Sequence, residues 1–205
     1  MSMEPEKDSM NTSPCEPALE ESKSKTKKSV KKEIMSWILT IVTAVVAALI
    51  IRTFLFEPIR VDGDSMSDTL HNSELVFVTK PEYLLGEPSR QDVIICRYPN
   101  RTQYFVKRLI ALPGDTIEII YNRNTRVNTV YVNGEAVEEP FLTKERNNDN
   151  NAMAPYTLGE NEYFVMGDNR DNSNDSRFVG PISRNQIIGH VRFVFFPFDS
   201  ARSIH

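Results

Sequence analysis

The sequence predicts a mainly β domain, an antiparallel barrel or sandwich, joined to one N-terminal transmembrane helix. A long apolar run lies near the N-terminus, at residues 34–51. After it, short segments rich in β-branched and aromatic residues recur, with turn signals between them and no helical patterns. The length of 205 residues suits one such domain with appendages.

The first 33 residues are polar, and we predict a disordered tail because such a segment buries too little apolar surface to offset its ordering entropy. Residues 34–51 are apolar and long enough to cross roughly 30 Å of hydrocarbon. A cleaved signal peptide would have a shorter apolar core with a small-x-small site after it. A buried soluble helix would carry more polar positions. We therefore predict a transmembrane anchor over residues 34–56.

The charges on either side of this anchor predict its orientation. Six lysines lie in residues 23–33, directly before the apolar run, whereas Arg52 stands alone just after it. Because positively charged flanks stay in the cytoplasm, the N-terminus is expected there and residues 57–205 outside the cell membrane. Cys15 and Cys96 would then face opposite sides of the membrane and could not pair.

The outer domain, residues 57–205, is predicted to consist of short strands. They cover residues 74–80, 92–98, 103–112, 116–121, 129–134, 162–167 and 187–196. Residues 143–156 are rich in Asn and Asp, and we predict a mobile surface loop there. Cys96 falls within a strand and is interpreted as a small buried hydrophobe.

Composition excludes several classes of protein. The formal net charge of −4 gives no argument for a nucleic-acid partner, and we expect none. Two cysteines are too few for a disulfide scaffold or a four-cysteine zinc site. The histidines, His71, His190 and His205, have no metal-ligand spacing. We therefore expect neither a metal nor a cofactor.

A first motif, VDGDSMSDTL, follows the anchor at residues 61–70. Most Gly-Asp-Ser triplets are only turns, but Ser65 would be a nucleophile if a base accepted its proton. His71 is expected to be exposed and His190 to be structural. The motif also lacks the second glycine of a G-x-S-x-G elbow. A histidine base is therefore not favoured.

A second motif, YFVKRLIALPGD at residues 104–115, offers a lysine instead. In a strand, Lys107 would share a face with Phe105 and Leu109. An amine accepts a proton only when it is neutral, and desolvation on an apolar face favours the neutral form by lowering the pKa. A lysine that protects an edge strand against aggregation is the alternative that this motif alone leaves open.

The third motif is GDNRDNSNDSR, at residues 167–177. Its Asp and Asn content first suggests a calcium loop. The EF-hand register fails, however, because Arg170 occupies the third position from Asp168 and no glutamate closes the loop. A polar turn is the simpler alternative, yet the stretch carries more hydrogen-bonding groups than a turn requires.

The three motifs, in this order after an apolar N-terminal run, resemble type I signal peptidases. The resemblance covers residue 34 to about residue 196, and the single anchor is similar to the compact enzymes of Gram-positive bacteria. It implies a membrane-bound serine endopeptidase with a Ser/Lys dyad that removes signal peptides from exported precursors by cutting after small residues. Ser65 would be the nucleophile and Lys107 the general base.

The resemblance also implies supporting residues around this dyad. Ser173 matches the serine that hydrogen-bonds and orients the lysine, and Met66 matches a residue that helps line the substrate cleft. The charged residues expected to brace the site are Arg108, Asp168, Asp175 and Arg177. The implied partners are precursor proteins that bear signal peptides, together with membrane lipid.

Two positions depart from the family pattern. Asp68 stands where many members carry proline, and it puts a charge near the nucleophile. Gly63 stands where some members supply an oxyanion-hole hydroxyl, which suggests that backbone N–H groups, chiefly that of Ser65, form the hole here. The alternative function is an impaired, membrane-anchored relative that binds translocated chains. A repressor-type autoprocessing protease is disfavoured by the anchor and by the lack of a helix-turn-helix pattern.

The predicted loop 143–156 itself carries the small-x-small sequence Ala152-Met153-Ala154. Proline has a fixed φ and no amide hydrogen, so Pro155 on the leaving-group side is expected to protect this loop from a neighbouring enzyme molecule. The simpler alternative is that the sequence is incidental.

Overall fold

The computed structural model describes residues 18–54, 56–80, 83, 86–99, 101–143 and 147–204. The chain divides into two compact units, Met1–Leu49 and Ile50–His205. Cys15 lies outside the described residues.

One long helix, α1, spans Ala18–Phe54. Its segment Val30–Leu49 has a mean hydropathy of 1.7 and is long and apolar enough to cross a membrane. Residues 18–33 are helical, whereas the sequence predicted disorder for them. Ala, Glu and Lys in this segment are good helix formers, and the apolar helix that follows already provides the nucleus from which they propagate.

The second unit is built from β-strands. In chain order these are β1 (Phe56–Arg60), β2 (Leu75–Thr79), β3 (Val93–Cys96), β4 (Phe105–Ala111), β5 (Thr116–Asn122), β6 (Val127–Val132), β7 (Glu135–Ala136), β8 (Met153–Thr157), β9 (Phe164–Met166), β10 (Ile187–Phe196) and β11 (Arg202–Ser203). All the strand pairs are antiparallel, which confirms the predicted mainly β, antiparallel fold class.

The strands form two sheets. The larger runs β1-β2-β10-β3-β4-β9, with β11 paired to β10, and the smaller runs β7-β6-β5-β8. Each of the seven predicted strands is present, and β1, β7, β8 and β11 were not predicted. The loop prediction for residues 143–156 is wrong where β8 pairs with β5, with Tyr156 opposite Ile117. The mobile loop assumed around Ala152-Met153-Ala154 is therefore not what the structure contains.

Strand β4 is buried on both faces, which matters for the site. Leu109 belongs to one apolar cluster, with Ile94 and Val165, while the next residue, Ile110, belongs to another. This alternation follows from the two-residue period of a strand. Lys107 and Arg108 lie just before this pair and point to opposite faces of the same buried strand.

Candidate active site

The residues predicted to be nucleophile and base lie next to each other. Ser65 is half-buried in a turn between β1 and β2, and Lys107 is in β4. The Nζ of Lys107 lies 2.6 Å from the Oγ of Ser65, although 42 residues separate them in the chain. Gly63 has a φ of 97°, a left-handed conformation that glycine adopts without strain. This residue lets the chain turn sharply just before Ser65.

Burial changes the chemistry of Lys107, of which only 2% is exposed. Burial lowers the pKa of Lys107, and the nearby carboxylate of Asp175 opposes this effect without cancelling it. The neutral amine is therefore populated at a lower pH than in an ordinary lysine. Strand β4 is paired on both sides, by β3 and β9, so the interpretation of Lys107 as a guard of an edge strand is wrong.

The turn that carries Ser65 is held by Asn169 of the third motif. The backbone N–H of Asn169 donates to the carbonyl of Ser65 at 3.0 Å. Its side-chain amide donates to the carbonyl of Asp64 at 2.9 Å and to the Oγ of Ser67 at 3.0 Å. Sequence reasoning did not single out Asn169, although the density of hydrogen-bonding groups in its motif was the available signal.

Met66 anchors the same turn to the apolar core. Only 1% of Met66 is exposed, and it packs in a cluster with Val61, Leu70 and other apolar side chains. Its Sδ accepts a hydrogen bond from the backbone N–H of Asp168 at 3.4 Å. Its side chain is thus enclosed by the core, and the role of Met66 in lining the substrate cleft stays a prediction.

Arg108 and Asp168 form a buried ion pair. The Nη2 of Arg108 lies 2.8 Å from Asp168 Oδ2, and its Nε lies 3.0 Å from Oδ1. Thr69, in the turn after Ser65, donates its hydroxyl to Asp168 Oδ2 at 2.5 Å. Removing either charge would leave the other buried without a partner, which is strongly destabilising. The pair thus connects β4 and the third motif to the turn of the nucleophile.

A second buried pair joins Asp175 and Arg177. The Nε of Arg177 lies 2.8 Å from Asp175 Oδ1, and the backbone N–H of Gly167 donates to Asp175 Oδ2 at 2.9 Å. Asp175 also caps the short helix α2 (Ser176–Val179). Burial alone would raise the pKa of Asp175, but the hydrogen bonds and charge of Arg177 outweigh it and lower the pKa. Asp175 therefore keeps a negative charge near Lys107.

Ser173 is buried against Gly167. A Cβ placed on Gly167 would lie 2.6 Å from the Cβ of Ser173, so the two residues are in tight contact. Among the described residues, no hydrogen bond joins the Ser173 hydroxyl to Lys107. The orienting role implied by the family resemblance stays a prediction.

Two contacts from residues 139–143 were not expected from the sequence. Arg170 is 1% exposed and forms a two-point ion pair with Glu139, in which Nη1 lies 3.0 Å from Oε2. Asp68 accepts hydrogen bonds from the backbone N–H of Thr143 at 3.0 Å and from its hydroxyl at 3.1 Å. Glu139 and Thr143 lie outside all three motifs, so no sequence signal marked them.

The remaining candidates take no part in the contact between Ser65 and Lys107. His71 is exposed. His190 is buried and stacks on Tyr83, with ring centroids 5.6 Å apart. Cys96 is a buried free thiol, and burial raises its pKa to about 12, which fits its interpretation as a small hydrophobe. In the part of the chain that the structure describes, no group of three or more His, Cys, Asp or Glu side chains could hold a metal ion.

Several known proteins are similar to this chain in sequence. The family model described as "Signal peptidase, peptidase S26" matches residues 34–196. The chain is 41% identical over 162 residues to signal peptidase I of Bacillus licheniformis, which covers 75% of this chain and 84% of that protein. It is 43% identical over 163 residues to signal peptidase I S of Bacillus subtilis strain 168, with 75% and 84% covered. A crystal structure of a signal peptidase I from Enterococcus faecalis V583 is 33% identical, covers 51% of this chain and 97% of that one, and has a TM-score of 0.42.

Proposed function

The chain belongs to the signal peptidase family, peptidase S26, and on this premise we propose that it cuts with Ser65 as nucleophile and Lys107 as general base. It is a serine endopeptidase that removes signal peptides from exported precursor proteins. The observation that carries the proposed dyad is the 2.6 Å approach of Lys107 Nζ to Ser65 Oγ. A buried, neutral lysine in that position can activate a serine without a histidine.

The first half-reaction follows from these positions. The neutral Nζ of Lys107 accepts the hydroxyl proton of Ser65 while Oγ attacks the carbonyl carbon of the scissile bond. The tetrahedral intermediate collapses, the C–N bond breaks, and the leaving amine takes the proton from Lys107. The mature protein departs with a new amino terminus, and the signal peptide remains as an ester on Ser65.

The second half-reaction uses the same base. Lys107, neutral again, takes a proton from a water molecule that attacks the ester. That proton then passes to the Oγ of Ser65 as the bond between Oγ and the acyl carbon breaks, and the released carboxylic acid of the signal peptide loses its proton to water. In both steps a backbone donor must stabilise the oxyanion. The N–H of Ser65 suits this role because it donates no hydrogen bond to other described residues. The space beside Gly63 is open, since a Cβ placed on this glycine would have no atom within 4 Å other than those of its chain neighbours.

The alternative function is an impaired relative that binds translocated chains. Asp68 was its main support in the sequence, but two hydrogen bonds from Thr143 engage that carboxylate. Burying a lysine beside a serine hydroxyl costs free energy, and a binding module gains nothing from it. The geometry therefore favours the enzyme.

A single substitution tests the proposed nucleophile. Full-length protein in detergent should convert a preprotein with an A-x-A site to its mature form, and mass spectrometry of the products should locate the cut after the second small residue. Ser65→Ala should lower the rate by at least about 10³-fold, since its loss removes the covalent step. A Ser65→Ala variant that cleaves at the wild-type rate would rule out Ser65 as the nucleophile.

We infer the membrane arrangement from the anchor and its flanking charges. The N-terminus lies in the cytoplasm, α1 crosses the cell membrane once within residues 34–56, and the peptidase domain, residues 57–205, is extracytoplasmic. The apolar segment Val30–Leu49 and the lysines of residues 23–33 support this arrangement. Because enzyme and precursor then share one membrane, their encounter becomes effectively intramolecular.

Protease accessibility tests this orientation. Protease added to intact protoplasts should degrade the β-domain, with cleavage in the exposed segment 148–150, and should leave an epitope tag at the N-terminus intact. Lysed protoplasts, in which both sides are accessible, provide the control. Protection of the β-domain in intact protoplasts together with loss of the N-terminal tag would reverse the topology.

A further inference from the structure

We propose that Arg202, in the C-terminal strand β11, is a positioning residue that holds the turn of the nucleophile in its active conformation. This inference rests on the proposed role of Ser65. Arg202 lies beyond the stretch matched by the family model and outside all three sequence motifs. Its side chain nevertheless reaches the chain segment that follows Ser65.

The guanidinium of Arg202 contacts two groups of that segment. Its Nη2 donates to the backbone carbonyl of Thr69 at 2.6 Å. The same guanidinium forms a two-point ion pair with Glu74, with Nη1 2.7 Å from Oε1 and Nη2 2.9 Å from Oε2. Bidentate arginine–carboxylate pairs fix geometry as well as charge. Arg202 thus ties two positions of the segment to one rigid, planar group.

Glu74 is the buried end of this contact. It is 3% exposed, and its Oε2 also accepts the backbone N–H of His71 at 2.9 Å. Burial alone would raise the pKa of Glu74, but the hydrogen bonds and charge of Arg202 outweigh it and lower the pKa. Glu74 therefore stays ionised at neutral pH and orders the return of the chain into β2.

Thr69 is the point at which Arg202 meets the machinery of the site. Its backbone N–H donates to the carbonyl of Met66 at 2.8 Å, one residue after Ser65. Its hydroxyl donates to Asp168, the partner of Arg108. The third polar group of Thr69 is its backbone carbonyl, which accepts the hydrogen bond from Arg202. Moving that carbonyl would shift the turn relative to Lys107.

The C-terminal strand is itself fixed, so it can act as a support. Arg202 pairs with Val194 in the ladder between β11 and β10. Ile204 is 4% exposed and packs in the same apolar cluster as Met66. Its backbone N–H donates to the carbonyl of Arg192 at 3.0 Å. The chain is thus held in place at Arg202 and at Ile204 just after it.

Arg202→Met tests the inference, because methionine keeps the apolar stem and removes every donor. We expect kcat to fall about 10-fold, with KM changed less than about twofold, since the loss affects the alignment of the dyad and not the binding of substrate. Arg123→Met, at an exposed arginine in the turn after β5, is the matched control and should keep the wild-type kcat.

A double variant separates positioning from simple charge neutralisation. Arg202→Met leaves Glu74 buried without its cation, which should lower the melting temperature. In Arg202→Met/Glu74→Gln that charge is gone, so the melting temperature should recover. The kcat should remain low, because the carbonyl of Thr69 still lacks its donor. If Arg202→Met does not fold, the double variant carries the test by itself.

Two results would overturn the inference. One is a wild-type kcat in Arg202→Met, and the other is a double variant that recovers kcat together with its melting temperature. Failure of the proposed function has a different signature, since the wild-type protein would then show no cleavage or Ser65→Ala would be as active as wild type. The two failures are distinguished within the same assay.

Discussion

Replacing Lys107 by methionine is expected to remove most of the cleavage activity, leaving only a small residual rate, while the fold stays intact. The Nζ of Lys107 is 2.6 Å from Ser65 Oγ, and its loss removes the only proposed acceptor for the serine proton. General-base catalysis contributes about 10²–10⁴-fold to rates, so kcat should fall by that factor. Methionine has a similar length and suits the apolar cluster that includes Leu109 on the same strand. The melting temperature should therefore not fall, because the cost of burying an amine is gone.

The pH dependence provides a second readout of the same residue. Because burial lowers the pKa of Lys107, the neutral, active form appears at lower pH than for an ordinary lysine. Activity of the wild-type protein should rise from neutral towards alkaline pH as the amine loses its proton, and fall as pH drops below that pKa. The residual activity of Lys107→Met should not show this rise. Initial rates of the wild-type protein and of Lys107→Met, measured from neutral to alkaline pH in one buffer series, test this difference.

The histidines are the controls for Lys107. His71→Ala changes an exposed side chain, and His190→Ala changes one that stacks on Tyr83. Both variants should keep the alkaline rise in activity, although His190→Ala should be less stable. If either lost all activity while folded, and Lys107→Met remained active, the base would be a histidine and the dyad assignment would be wrong.

The strands and the environment of Lys107 could be predicted from the sequence because local rules set them. The two-residue period of a strand puts Lys107 on the face of Phe105 and Leu109, and both of these side chains belong to one apolar cluster in the structure. The approach of Lys107 to Ser65, in contrast, does not follow from local rules. It depends on how β4 meets a turn far away in the chain, and the order of the three motifs was needed to expect it.

What the sequence could not provide were contacts that depend on long-range packing. Met66 follows the nucleophile, yet the curvature of the turn directs its side chain into the core. Strand β8 follows a polar, Asn-rich stretch and contains Pro155, but pairing with β5 overrides those local signals. Glu139 and Arg202 are ordinary charged residues in the sequence. Glu139 matters because it pairs with the buried Arg170, and Arg202 because it pairs with the buried Glu74. No local sequence pattern encodes either pairing.

Gly167→Ala is expected to damage both the stability and the activity of the protein. A Cβ at residue 167 would lie 2.6 Å from the Cβ of Ser173 and would also overlap the backbone carbonyl of Ser65. Backbone cannot yield as a flexible side chain does, so we expect a loss of about 1–3 kcal/mol in the free energy of unfolding. Relief of the overlap with the carbonyl of Ser65 requires the backbone of Ser65 or of Gly167 to shift, and either shift changes the position of the nucleophile relative to the third motif. A displacement near 1 Å can cost about 10²-fold in rate, and kcat/KM should fall by that order.

Gly159→Ala is the matched control, because the atoms nearest to a Cβ there would be those of the Glu162 side chain, at 3.6 Å, an ordinary contact distance. It should change neither the melting temperature nor kcat/KM appreciably. Thermal unfolding and initial rates of both variants, measured below their melting temperatures, separate a loss of folded protein from a misplaced nucleophile. If Gly167→Ala kept a wild-type kcat/KM, the contact between Gly167 and the carbonyl of Ser65 would not position the nucleophile. The third motif would then act on the dyad only through its hydrogen bonds, such as those of Asn169.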